Sequence, residues 1–346
     1  MRVQLYNFAY ADGPAFEHKV AGKRATLDVV ALDHGKAGPL TPAQAKAADA
    51  LCVYSPNFPV PLPPTAFPRV QVVIRSGVGY DNLDLAGWGA QGVPVCNVPD
   101  YGTSEVADHA LALMLALTRG TITYHDALRT DPRAGWNWGA APVVRRLRGA
   151  TFGVLGLGRI GLAAALRARG FGMEIAFCDP HLPRGTEIAV GMRRVESAAE
   201  LAAISDVLSL HCPLSPETKG IIGRELLAKA KRGMILVNTA RGPVVDLDAL
   251  HDALKSGRVG AAALDVLPGE PANPDIKLIR AFARRERWLE GRFTLSPHAA
   301  FYSPSSVEDL RRKTVETVLD VIEGKPVANC VNAHLLAKNP RGKRKR

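Results

Sequence analysis

Three residues of this chain have side chains able to carry out proton transfer and carboxylate binding, and each stands just past a run that reads as a buried strand. Arg241 follows MILVNTA (234–240), Glu270 follows AAALDV (261–266), and His298 follows FTLSP (293–297). An imidazole titrates near neutrality, so it can give or take a proton under physiological conditions. A carboxylate beside it orients the ring and favours imidazolium. A guanidinium offers a planar fork that holds a carboxylate bidentately and polarises a neighbouring carbonyl. Taken singly, each residue has an ordinary explanation: a solvated arginine, a glutamate ending a loop before proline, a histidine at a core edge. Their coincidence at three strand ends selects them as substrate clamp, orienting carboxylate and general acid/base for a ketone being reduced beside a carboxylate.

That reduction needs a hydride carrier, and GVLGLGRIG provides for one. Gly156, Gly158 and Gly161 form a Gly-x-Gly-x-x-Gly set between the strand TFGVLG (151–156) and the helix RIGLAAALRARG (159–170). Gly156 permits the tight turn, Gly158 lets backbone approach a pyrophosphate, and Gly161 lets helix and strand pack closely. The helix N-terminus, with Arg159 and Ile160 in its first turn, offers free N–H groups to an anion. The next strand, EIAFCD (174–179), ends in Asp179, whose carboxylate accepts from two ribose hydroxyls and repels a 2′-phosphate. The motif therefore reads as a site for NAD rather than NADP. His211 ends a further strand (207–211) and is followed by CPLSPET, so His211, Cys212, Pro213 and Thr218 read as cofactor-lining. The other histidines (His18, His34, His109, His125, His181, His251, His334) read as structural or solvated. No G-x-S-x-G, H-E-x-x-H or P-loop is present, which leaves hydrolase, zincin and kinase chemistry without their parts.

The elements that must hold these residues alternate regularly. Strand-like runs at 151–156, 174–179, 207–211, 234–240, 261–266 and 293–297 are separated by helical patterns at 159–170, 196–205, 223–231 and 246–257. The runs are short and nearly all apolar, as in a parallel sheet covered on both faces. The expected fold class is α/β with doubly wound, Rossmann-like domains. LDVVAL, ALCVYS and VQVVIRSG are strand candidates in the first hundred residues. Two helices flank the middle domain. SEVADHALALMLALTRG (104–120) is apolar almost all round and is expected to be buried between domains or subunits; 304–324 carries Val307, Leu310, Val315, Val318, Leu319 and Ile322 on one face.

A chain of 346 residues, 47% of them hydrophobic, has enough core for two domains. No run is long and apolar enough to span a bilayer, and the N-terminus lacks an export signal. The five cysteines contain no C-x-x-C pair, which argues against a disulfide framework or a zinc site and suits a cytoplasmic setting. No metal is expected. The net charge is +11, and Lys338, Arg341, Lys343, Arg344, Lys345 and Arg346 contribute six of those charges. We read this tail (336–346) as disordered and solvated, and no helix-turn-helix or finger pattern points to a nucleic-acid partner.

The residues from about 50 to 330 resemble the D-isomer-specific 2-hydroxyacid dehydrogenases. The resemblance is carried by RSGVGYDNLD, CNVPDYGTSEVADHALALML, GATFGVLGLGRIG, HCPLSPETKGIIG, LVNTARGPVVD, AALDVLPGEP and SPHAAFYS. It implies an NAD-binding Rossmann domain (103–297) inserted into a flavodoxin-like substrate domain (1–102 and 298–335), a homodimer, a small 2-oxo or 2-hydroxy acid as substrate, and Arg241, Glu270 and His298 as the catalytic three. It also implies that the amides of Gly77, Val78 and Gly79 grip the substrate carboxylate, that Phe301 borders the substrate, and that Asp265, with Thr239, Ala240 and Ala300, lies along the cofactor. EVADHAL, DPHLPRG and HAAFYS look closest to the C-terminal-binding-protein branch of NAD-binding corepressors, so an NAD-sensing regulator is the second expectation beside an enzyme. Between Glu270 and His298 the chain is longer than usual in the family. The segment 272–292, with Lys277, Arg280, Arg284, Arg285, Arg287 and Arg292, reads as a solvated amphipathic helix, or alternatively as a basic rim for anions.

Overall fold

A computed structural model describes residues 1–32, 36–55 and 57–337. His34 and the basic stretch 338–346, given roles above, lie outside the described residues. The chain divides into two compact units, Met1–Gly102 with Ser303–Arg346, and Thr103–Tyr302. The second unit thus ends after Tyr302 rather than Pro297, because the backbone of 298–300 is held by Asp265 of that unit.

The first unit contains β1 (Arg2–Phe8), α1 (Ala15–Ala21), β2 (Thr26–Ala31), α2 (Pro42–Ala47), β3 (Ala50–Val53), β4 (Val73–Arg75), α3 (Leu85–Ala90), β5 (Val95–Asn97) and the late helix α12 (Pro304–Ile322). Its sheet is parallel in the order β2-β1-β3-β4-β5, the flavodoxin-like arrangement. The sequence reading left out β1 and β5. β1 is nevertheless central, with its buried Gln4 satisfied by donating to the Asp28 carbonyl at 2.9 Å. α12 starts at a capping box between Ser303 and Ser306, with Pro304 in its first turn. It buries Leu310, Val315, Val318 and Leu319 against Val3, Leu5 and Ile74. Arg311 lies on that buried side. Its guanidinium donates to Glu17 at 2.7 and 2.8 Å and to Asp12 at 2.7 Å, and sits 4.5 Å from the centre of the Tyr10 ring.

The second unit contains α4 (Thr103–Thr118), α5 (Thr121–Thr130), β6 (Thr151–Leu155), α6 (Arg159–Gly170), β7 (Glu174–Cys178), α7 (Thr186–Val190), β8 (Arg193–Arg194), α8 (Ala198–Ile204), β9 (Val207–Leu210), α9 (Arg224–Lys229), β10 (Met234–Asn238), α10 (Leu247–Lys255), β11 (Val259–Leu264), α11 (Lys277–Ala283) and β12 (Phe293–Leu295). The order β12-β11-β10-β9-β6-β7-β8 is parallel throughout and reverses direction at β6, as in a Rossmann sheet. Its strands are buried on both faces, which is why they read as continuous apolar runs. α4 packs on α6, β10 and β11 within this unit.

Candidate active site

The carboxyl ends of β10, β11 and β12 bring together the residues selected by type. His298 Nδ1 lies 2.6 Å from Glu270 Oε2, and Glu270 Oε1 accepts the Leu267 N–H at 3.0 Å. The Glu270 carboxylate is therefore fixed by its own loop while it fixes the ring. His298 adopts a left-handed backbone conformation (φ 53°), a cost that surrounding bonds must sustain. Asp265 supplies them. Its carboxylate accepts from Ser296 Oγ (2.6 Å), Ala299 N (2.9 Å) and Ala300 N (3.0 Å), and its carbonyl accepts the His298 N–H (2.8 Å). His109 Nε2 lies 2.9 Å from Ser296 Oγ and completes the support. Among the described residues no hydrogen-bond partner engages His298 Nε2.

Arg241 leaves β10 through a turn shaped by Asn238, which is fully buried. Asn238 Oδ1 accepts from Ala240 N at 2.9 Å and its Nδ2 donates to the Arg241 carbonyl at 2.9 Å. One guanidinium N–H donates to the Ala240 carbonyl at 2.8 Å. Gly242 follows, and a methyl there would stand 2.0 Å from the Leu267 carbonyl carbon. The Arg241 and Glu270 loops thus meet at a contact only glycine permits.

In the first unit, the segment 76–79 leaves β4 as a loop whose carbonyls are anchored. Val98 N donates to the Gly77 carbonyl at 3.0 Å and Asn97 Nδ2 to the Val78 carbonyl at 2.7 Å. Arg75 donates to the Ser76 carbonyl, and a side chain at Gly77 would meet that guanidinium at 2.6 Å. Among the described residues no acceptor takes the N–H groups of Gly77, Val78 or Gly79. Oriented, unengaged amides of this kind suit an anion.

The glycine turn between β6 and α6 is built as its spacing implies. Gly156 (φ 91°) packs so closely that a side chain would stand 2.7 Å from Cys212 N, and one at Gly161 would stand 2.1 Å from the Gly156 carbonyl oxygen. A side chain at Gly158 would meet no protein atom within 4 Å, so its backbone faces open space. Asp179 accepts from Leu157 N at 2.9 Å and from His181 N at 3.0 Å, tying the end of β7 to the turn.

A sequence profile for the NAD-binding domain of D-isomer specific 2-hydroxyacid dehydrogenases matches residues 111–300. The chain belongs to this family. It is 36% identical over 280 residues, 80% of each chain, to a glyoxylate reductase of Korarchaeum cryptofilum (strain OPF8). A solved D-lactate dehydrogenase of Aquifex aeolicus, complexed with NAD and lactic acid, superposes with a TM-score of 0.80 at 26% identity, over 96% of this chain and 99% of that one. An NADPH-dependent glyoxylate/hydroxypyruvate reductase of Sinorhizobium meliloti, in complex with NADP and malonate, gives 0.79 at 27% identity, over 97% and 98%. These relatives are oxidoreductases by name and lend the corepressor branch no support.

The dehydrogenase fold accounts for two orphaned buried atoms at the cofactor edge. Among the described residues, buried Thr239 Oγ1 and His211 Nδ1 have no hydrogen-bond partner; each stands just past a strand end, and His211 lies against Gly156 of the glycine turn. Together with the open face at Gly158 they fit a bound dinucleotide. Gly158, Arg159, Ile160 and Gly161 would hold its pyrophosphate, and Asp179 its ribose. Burial pushes the His211 pKa down to about 4, so the ring is neutral, with Nε2 2.8 Å from Ser209 Oγ. Thr218 is differently engaged: its hydroxyl donates to the Pro213 carbonyl at 2.6 Å and accepts from Ser215 N at 2.8 Å, closing the loop after Cys212 and Pro213. The Phe301 ring lies 6.3 Å from that of His298, nearly perpendicular.

The basic insertion is only partly helical, and its Arg292 is turned inward. Only Lys277–Ala283 is helical, and its Leu278, Ile279 and Ala281 are buried. Arg292 donates to the carbonyls of Gly260, Trp288, Leu254 and Val259 at 2.7–3.0 Å. It thus anchors the amino end of β11, the sheet edge away from His298. Sequence reasoning missed Asn238 and Ser296 and read His109 as inert. Asn238 and Ser296 sit among strong strand formers and carry no local signal of their partners.

Proposed function

We propose that this chain reduces a small 2-oxo acid to its D-2-hydroxy acid, or catalyses the reverse, with His298 as the general acid/base. The observation that carries the assignment is the 2.6 Å contact between His298 Nδ1 and Glu270, with Nε2 left unengaged. NAD, when bound, supplies or accepts the hydride at the substrate's C2. His298 Nε2 delivers a proton to the developing alkoxide during reduction and removes it during oxidation. Glu270 holds the ring so that Nε2 faces the oxygen. Arg241 pairs with the substrate carboxylate and polarises the carbonyl beside it. The amides of Gly77, Val78 and Gly79 are the carboxylate-binding candidates of the first unit, and Phe301 is the substrate-bordering candidate of the second. Asp265, expected beside the nicotinamide, acts mainly by holding the 296–300 loop. Asp179 favours NAD over NADP.

The test is turnover. Purified protein is mixed with NADH and glyoxylate, hydroxypyruvate, 4-methylthio-2-oxobutyrate or phosphohydroxypyruvate, and absorbance loss is followed. At least one should be a good substrate; tight NADH binding with no turnover would instead favour the NAD-sensing regulator. We also propose a homodimer. Trp136 and Trp138 are 82% and 91% exposed after α5, apolar area of the kind a second copy covers. Sedimentation at micromolar concentration decides that point. Among the described residues no helix is long and apolar enough to cross a membrane, and a cytoplasmic setting suits the free thiols.

A further inference from the structure

All five cysteines are free thiols, but two of them face each other. Cys96, in edge strand β5, is the antiparallel bridge partner of Cys330 in the segment that follows α12. The flanking bonds run from Val331 N to the Val95 carbonyl (2.8 Å) and from Asn97 N to the Asn329 carbonyl (3.3 Å). Cys96 and Cys330 therefore form a non-hydrogen-bonded pair. In such a pair the Cα atoms lie about 4.5 Å apart with side chains on one face. That separation falls inside the range a disulfide spans, roughly 4.4–6.8 Å.

The register is held from outside the pair. Asn332 is fully buried; its Oδ1 accepts from Val95 N at 2.8 Å and its Nδ2 donates to the Val93 carbonyl at 3.1 Å. Cys330 Sγ lies 3.3 Å from the same Oδ1 and packs against the core cluster containing Cys96. The two thiols differ in access. Cys96 is buried and Cys330 is part-exposed. Burial, with Cys330 nearby, pushes the Cys96 thiol up to about 12, so it is the less readily oxidised of the two.

We propose that Cys96 and Cys330 are a reversible dithiol–disulfide pair that locks the C-terminal segment onto β5 under peroxide stress. The Cys330 thiol gives up its proton and its sulfur attacks a peroxide oxygen; the O–O bond breaks, the departing hydroxide takes up that proton as water, and a sulfenic acid remains. The Cys96 sulfur then attacks the Cys330 sulfur; the S–O bond breaks, the Cys96 proton leaves with the oxygen, and a second water departs. Two thiols lose two electrons and one hydrogen peroxide becomes two waters. A dithiol reductant reverses the change. The next residue after Cys96 is Asn97, which holds the Val78 carbonyl, so the bond braces the strand behind the 76–79 loop.

The test uses the full chain. Protein is treated with a small excess of hydrogen peroxide, blocked with N-ethylmaleimide, and digested without reduction. A Cys96–Cys330 linked peptide is expected, the thiol titre of the denatured protein should fall by two, and dithiothreitol should restore both. The oxidised protein should melt roughly 5 °C higher than the reduced one. The variant C330S should lose both the linkage and the rise, and because Cys330 is part-exposed it should fold even if C96S does not. Cys330 found as sulfinic acid or linked elsewhere while Cys96 stays alkylatable would overturn the pair. A Cys96–Cys330 link with no rise in melting temperature would overturn the brace.

Discussion

Two carboxylate contacts of nearly equal length stand at opposite ends of what a protein does with such groups. His298 Nδ1 meets Glu270 at 2.6 Å, and Arg311 meets Glu17 at 2.7 Å. The Arg311 side chain is 7% exposed and Glu17 fully buried; Arg311 is also stacked among Phe8, Tyr10 and Phe16 and donates to three groups in all. Each of its three guanidinium nitrogens donates, so the pair holds α1 and α12 together. His298 and Glu270 are 26% and 16% exposed, and one ring nitrogen is left over. A buried pair becomes structural when its hydrogen-bonding capacity is used up, and chemical when one group is held yet incomplete.

Exchanging the two pairs' fates by mutation tests that distinction. His298→Ala should lower kcat/KM by roughly 10³–10⁴ while leaving the melting temperature and NADH binding near wild type. Substantial residual activity would remove His298 from the proton path. Arg311→Ala should do the reverse. It leaves Glu17 buried and unpaired, which costs about 3–5 kcal/mol of stability by urea denaturation, while kcat of the folded fraction is kept. Normal stability would mean the pair is idle.

His211 is a third case, a buried ring with no charged partner. Its folded pKa near 4 lies below the unfolded value of 6.5, so the unfolded chain takes up the proton first as pH falls. Stability is full above about pH 6.5 and should decline towards pH 4 by about 3 kcal/mol. In His211→Asn that slope should flatten; an identical slope would assign the acid sensitivity elsewhere. The smallest effect is expected at Asp179, whose carboxylate already accepts two backbone N–H groups. Asp179→Ala should narrow the preference for NADH over NADPH by about tenfold, read as a ratio of kcat/KM values. An unchanged ratio would leave it a role in the turn alone.

Legibility followed the range of the interactions. The glycine turn, α6 and the strands β6, β7, β9, β10 and β11 could be read locally, because a doubly covered strand is apolar throughout and a glycine turn has fixed spacing. β1 escaped notice because Gln4 and Asn7 interrupt its apolar pattern. Both are buried polar groups partnered from distant segments: Gln4 donates to the Asp28 carbonyl, and Asn7 Oδ1 accepts from Gly38 N. Arg311 carries no local signal of its role, since its partner Glu17 lies 294 positions away. Asp265 is the instructive site case. The family resemblance placed it along the cofactor; that its oxygens accept from the backbone of 299 and 300 is an orientation no local pattern encodes.

Gly242 bears on how such an enzyme could be altered. The Arg241 loop and the Glu270 loop touch where a methyl would stand 2.0 Å from Leu267, so their separation is set by a hydrogen atom. That makes the residue a gauge block between two tools. Any larger side chain there would widen the gap between the Arg241 and Glu270 loops without touching either side chain. Directed evolution seeking bulkier substrates would therefore find room more safely around Phe301 than by loosening this joint.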